Sequence, residues 1–147
     1  MAAVRQATTT WTGDLIKGSG EVEAESSAAF GGLPVTWASR TETADGRTSP
    51  EELLAAAHSS CFSMAFASDL AKAGFPPEVL TVSSEVSLDR IDGKLTVVSS
   101  KLTVRGRVPG LDKARFQSMA EQAKNGCPIS RALQGNVSLS VDASLDV

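Results

Sequence analysis

Hydrophobic and polar positions alternate along much of this chain, but from Ser49 to Gly74 the alternation gives way to a largely apolar run, SPEELLAAAHSSCFSMAFASDLAKAG. The run predicts one long helix. Ser49 suits the N-cap, Pro50 the first helical position, and Glu52 completes a Ser-x-x-Glu capping box. Gly74 suits the left-handed residue past the end, and Pro76-Pro77 forbids continuation. About two dozen helical residues span roughly 36 Å. Leu53, Leu54, Ala55 to Ala57, Phe62, Met64, Ala65, Phe66 and Leu70 occupy most of the circumference, which predicts burial on all sides.

The flanking segments read as strands. Before the helix they are Val4 to Thr12, Glu21 to Ser26 and Phe30 to Ser39, followed by a polar loop from Arg40 to Thr48. After it, Leu80 to Leu88 and Leu95 to Val104 flank Ile91-Asp-Gly-Lys94, whose Asp-Gly pair predicts a type I′ hairpin. Val108-Pro-Gly110 ends the sheet. Asp112 caps a second helix running to about Asn125, with Gly126 as its stop, and Ile129 to Leu133 forms a short helical turn after Cys127-Pro128. Asn136 to Val147 alternates as a closing strand. This order predicts an α+β fold, with largely antiparallel sheets wrapped around the central helix, in a single domain covering residues 1–147. Six short strands cannot surround so apolar a helix, so a second copy is expected to cover the rest in an interlocked homodimer.

Composition narrows the function. The formal net charge is −3 and the 14 basic residues are dispersed, which argues against nucleic-acid binding. Aromatic content is low and Tyr is missing, which argues against a stacking platform for single strands. The opening MAAVRQATTTWTG has no signal-peptide apolar run, and no stretch of ~18 apolar residues offers a membrane span. The expectation is a soluble, cytoplasmic protein with no membrane partner.

The two cysteines, Cys61 and Cys127, are 66 positions apart, so neither a CxxC redox pair nor a zinc knuckle is present. They are either two inert buried thiols or a functional pair assembled by the fold. Cys61 lies mid-helix, where burial raises the pKa of a thiol and the helix terminus is too distant to lower it. Activation requires a cation. A guanidinium at ~4 Å with an effective dielectric near 20 is worth about 4 kcal/mol, or about three pKa units before desolvation. Arg40 and Arg47 are both available, and spacing does not choose between them or exclude that each is a surface charge. Cys127 opens a helical turn, where free N–H groups can stabilise a thiolate; a small residue in a Gly-Cys-Pro turn explains it equally well.

His58, the sole histidine, lies three residues before Cys61 on the same helical face. A Cys/His hydrolase is one reading and a packed neutral imidazole another, the second favoured because mid-helix amides offer no oxyanion hole. A metal held by His58, Cys61 and Cys127 would lack a fourth ligand. Glu51 and Glu52 complement the helix dipole. Glu51 is also ~15 Å along the axis from Cys61, out of reach in its own chain unless the helix breaks but within reach across an antiparallel crossing of two copies.

Ser49-Pro-Glu-Glu-Leu-Leu-Ala-Ala-Ala-His-Ser-Ser-Cys-Phe-Ser-Met64, with Arg40 upstream and Asn125-Gly-Cys-Pro-Ile-Ser-Arg-Ala-Leu133 downstream, resembles the osmotically inducible protein C family, which includes the organic hydroperoxide resistance proteins. The similarity extends to Trp11-Thr-Gly-Asp14 and Val86-Ser-Leu-Asp89, and it favours the osmotically inducible branch. The resemblance implies an intertwined α+β homodimer that reduces hydroperoxides with thiols and no cofactor or metal. By position it implies Cys61 as the peroxidatic cysteine, Cys127 as the resolving one, Arg40 as the activating cation and Glu51 as its partner. It also implies an external dithiol reductant such as a lipoylated protein. The rival readings are a dimer that binds an apolar ligand with incidental thiols, and the Cys/His hydrolase.

Overall fold

The computed structural model describes residues 1–146. The chain divides into two compact units, Met1–Leu53 and the remainder from Leu54.

In the first unit, strands β1 (Ala7–Thr12), β2 (Ser19–Ala24) and β3 (Leu33–Val35) form an antiparallel sheet in the order β1-β2-β3. Gly20 permits the close packing there: a Cβ on it would lie 2.9 Å from Cε3 of Trp11 and 3.0 Å from Cγ2 of Val35. The third strand is shorter than the expected Phe30 to Ser39. Thr36 and Ser39 form a reciprocal capping box that starts a helix, α1 (Trp37–Thr41), with the Ser39 N–H donating to Thr36 Oγ1 at 3.0 Å and the Thr36 N–H to Ser39 Oγ at 3.0 Å. Arg40 therefore stands in the last turn of a helix and not in the expected polar loop.

The long helix is α2 (Pro50–Lys72). Ser49 Oγ accepts the Glu52 N–H at 3.1 Å, as a cap should. The other limb of the expected box is replaced: the Glu52 carboxylate accepts from the Thr48 hydroxyl at 2.7 Å. At the far end Gly74 takes φ +89°, and the Phe75 N–H returns to the Leu70 carbonyl at 2.9 Å, closing the helix as a Schellman turn.

In the second unit, β4 (Val79–Ile91), β5 (Lys94–Arg107) and β6 (Ser138–Leu145) form a sheet in that order. Asp92 and Gly93, at φ +50° and +77°, make the hairpin turn that joins antiparallel β4 and β5. β4 and β5 are 13 and 14 residues long, not the short strands expected. The closing strand pairs parallel to β5. The chain crosses over through α3 (Lys113–Gly126) and α4 (Pro128–Leu133) before it returns, a connection long enough for parallel pairing. Val147, the last residue of the expected strand, lies outside the described residues. Asp112 caps α3, accepting the Arg115 N–H at 2.9 Å.

Phe62, Phe66 and Leu70, four residues apart on α2, are fully buried in one cluster with Leu102 and Val104 of β5 and Phe116 and Ala120 of α3. The Phe66 ring centre is 5.5 Å from that of Phe62 and 5.0 Å from that of Phe116, within the range of tilted aromatic packing. The expectation of burial all round does not hold within one chain. The row Ala56, Ser60, Met64 and Ser68 is exposed, with Met64 at 72 %. Three strands and a helix provide one packing layer for α2, so the opposite row is left uncovered. No helix among the described residues is long and apolar enough to cross a membrane.

Candidate active site

Cys61 and Cys127 are both free thiols, and the second unit brings them together. Cys61 is half-buried on α2; Cys127 is fully buried between α3 and α4, where it caps both helices. Burial is the main influence on Cys61 and pushes its thiol above the usual value. The Ile129 backbone N–H, which hydrogen-bonds to the sulfur, opposes that shift, while the Cys127 thiol adds to it. Free N–H groups at the start of the downstream turn are one of two equal readings of Cys127 from the sequence. Instead the Cys127 N–H is bonded to the Ala123 carbonyl at 2.9 Å, and the free amide that matters, that of Ile129, addresses Cys61. Two thiols near enough to influence one another, one of them beside an amide donor, can carry a thiol–disulfide cycle.

His58 does not form part of a nucleophile–base pair. Its Nδ1 is 2.6 Å from Ser100 Oγ and its Nε2 is 2.8 Å from Ser130 Oγ, so both ring nitrogens are committed to hydroxyls. The ring is fully buried, and burial lowers its pKa, which keeps it neutral. This removes the Cys/His hydrolase reading, for no nitrogen is left to take a proton from Cys61. Among the described residues no group of three His, Cys, Asp or Glu side chains is placed to hold a metal. Sequence reasoning missed Ser84, Ser100, Ser130 and the Ile129 amide. Only Ile129 and Ser130 carried a signal, as part of the Cys-Pro-Ile-Ser run.

The first unit joins the other two expected residues. Arg40 donates from Nε to both Glu51 oxygens, at 3.0 and 3.2 Å, and from Nη2 to Oε1 at 2.8 Å. Glu51 is buried, with its side chain 10 % exposed against 32 % for Arg40, so the ion pair is shielded and its geometry specified. Nη1 of Arg40 makes no hydrogen bond among the described residues and remains able to meet an oxygen. Arg40 borders a cleft of about 310 Å³ with Trp11, Leu15, Trp37 and Leu53, an apolar setting for a charged group. Arg47, the alternative cation, pairs with exposed Asp45 at 3.2 Å on the surface. Pairing with a buried carboxylate thus separates two arginines that spacing left equal.

Known proteins resemble this chain in sequence and in fold. Residues 43–142 match the family model described as OsmC-like protein. Peroxiredoxin OsmC of Escherichia coli strain K12 is 38% identical over 129 residues, covering 88% of this chain and 89% of that protein. An organic hydroperoxide resistance protein of Xanthomonas axonopodis pv. citri is 35% identical over 96 residues, 64% of this chain and 65% of that one. Among solved structures, an organic hydroperoxide resistance protein of Elizabethkingia anophelis superposes with a TM-score of 0.73 at 23% identity, covering 99% of this chain and 100% of that one. OhrB of Bacillus subtilis gives 0.71 at 21%, covering 94% and 97%. The solved structures show the fold; the family model and the relatives in sequence show that this chain belongs to the OsmC-like family.

Proposed function

We infer that this protein is a cysteine-based peroxidase that reduces organic hydroperoxides. The observation that carries the inference is membership of the OsmC-like family, in a chain whose Cys127 thiol is near enough to Cys61 to raise its pKa. The Cys61 thiolate attacks the terminal peroxide oxygen; the S–O bond forms, the O–O bond breaks, and the departing alkoxide takes a proton to leave as alcohol. Cys127 then attacks the sulfenic acid, forming the S–S bond and releasing the hydroxyl as water. An external dithiol, such as a lipoyl group, is oxidised as it restores both thiols.

Burial by itself leaves Cys61 protonated, so the cycle needs a cation, and Arg40 held by Glu51 is the proposed one. Its free edge would also stabilise negative charge on the departing oxygen. A homodimer is supported by the uncovered row Ala56, Ser60, Met64 and Ser68, where three small side chains allow a second helix to approach and Met64 offers it an exposed apolar group. Residues 1–147 are proposed to act as one functional domain, with Arg40 and Glu51 serving Cys61. Two cysteines kept as thiols suit a reducing compartment, here the cytoplasm. The rival apolar-ligand module would bind without turnover.

Pre-reduced protein mixed with one equivalent of cumene hydroperoxide should yield alcohol and a Cys61–Cys127 disulfide by mass spectrometry, and Cys61→Ser should consume no peroxide. Normal turnover by Cys61→Ser would refute the proposal.

A further inference from the structure

Outside the reacting sulfurs, the most specific polar arrangement in the second unit is the buried chain around His58. The imidazole sits one helical turn before Cys61 on α2 and reaches Ser130 on α4 through Nε2 and Ser100 on β5 through Nδ1. Ser100 Oγ lies 2.9 Å from Ser84 Oγ on β4. A neutral imidazole has one N–H and one acceptor nitrogen, so one of the two hydroxyls accepts from the ring and the other donates to it. No buried side-chain polar atom among the described residues is left unpaired.

The helix at the end of this chain is the one that carries the cysteine contact. α4 has only six residues, and its N-cap, Cys127, makes no side-chain capping bond. A helix that short does not persist without tertiary anchors. The polar links from α4 to α2 are adjacent: the Ile129 amide meets Cys61 and the Ser130 hydroxyl meets His58. Cys127 itself is fixed to α4 by its carbonyl, which accepts the Arg131 N–H at 3.0 Å. Displacement of α4 therefore moves Cys127 and the Ile129 amide together relative to Cys61.

We propose that His58 is a positioning residue for the disulfide step, holding α4 through Ser130 so that Cys127 stays opposed to Cys61. The inference rests on the peroxidase reading above. In that step the S–S bond forms, the S–O bond of the Cys61 sulfenic acid breaks, and the Cys127 proton leaves with the hydroxyl as water. The bond requires Cβ atoms about 4 Å apart and a narrow torsion range, so a displacement near 1 Å slows it steeply. Peroxide attack on Cys61 requires no alignment with Cys127 and feels the displacement only through the Ile129 amide.

The test compares the full-length protein with Ser130→Ala, Ser130→Thr and Val104→Ala. The last variant removes core volume on β5 and leaves the tether whole. Each pre-reduced protein is mixed with one equivalent of cumene hydroperoxide. Rapid quenching and mass spectrometry then separate dimedone-trapped sulfenic acid from the Cys61–Cys127 disulfide, and excess peroxide reveals sulfinic acid. In Ser130→Ala the disulfide should form at least tenfold more slowly, a larger loss than that in sulfenic acid formation, and sulfinic acid should accumulate. Ser130→Thr, which keeps the hydroxyl, should recover most of the disulfide rate, and Val104→Ala should show no such partition despite a lower melting temperature. A wild-type disulfide rate in Ser130→Ala, or equal slowing in Val104→Ala, overturns the positioning role. Failure of the wild-type protein to form the disulfide would instead remove the peroxidase reading on which the role depends.

Discussion

Replacing Glu51 by Ala isolates the part of the proposed mechanism that depends on a fixed guanidinium. The Glu51 carboxylate accepts from two nitrogens of Arg40 at 2.8–3.2 Å, and its side chain is 10 % exposed, so water substitutes for it poorly. Hydrogen bonds of this charged kind are worth about 1.5–3 kcal/mol net. If all of that restraint is expressed in the transition state, the second-order rate of Cys61 oxidation falls roughly 10- to 100-fold. Glu51→Gln keeps one carbonyl acceptor without the charge and should fall between Glu51→Ala and the parent. The assay is stopped-flow oxidation of pre-reduced protein by cumene hydroperoxide, with iodoacetamide alkylation of Cys61 followed against pH. Both variants should shift the alkylation midpoint upward, because a looser guanidinium stabilises the thiolate less. A Glu51→Ala rate within twofold of the parent, with an unchanged alkylation profile, would show that Arg40 does not act on Cys61.

Two further outcomes concern the fold. His58 is buried with its pKa lowered below 6.5, so between that value and its native pKa the unfolded chain binds more protons. Its contribution to stability is complete above pH 6.5 and is lost as pH falls through the native pKa, with a slope of at most ~1.4 kcal/mol per pH unit. Urea denaturation at pH 5 to 8 should show this extra acid sensitivity, and His58→Gln should lack it. Phe66 packs between Phe62 and Phe116 with no exposure, so Phe66→Ala should cost about 3–5 kcal/mol in the same assay; a loss below 1 kcal/mol would mean that the aromatic cluster is not the core of its unit.

Much of the architecture depends on local chemistry and was legible in the chain. Ser49 and Gly74 bound the long helix because a cap hydroxyl and a left-handed residue act within one turn. Asp92-Gly93 specifies its hairpin, and Asp112 its helix, for the same reason. Two elements were misread. One was local: the capping box of Thr36 and Ser39 ended a strand that β-propensity extended to Ser39. The parallel pairing of β6 follows from the crossover through α3 and α4, which alternation along one strand does not encode. The site divides along the same line. Sequence singled out Cys61, Cys127, Arg40 and Glu51 as residue types and, through a resemblance, as a set. Spacing did not separate Arg40 from Arg47, identify the hydroxyls that occupy His58, or direct the Ile129 amide to Cys61. Those distinctions depend on which groups lose water together, and tertiary packing alone brings residues 42 and 72 positions from His58 onto one imidazole.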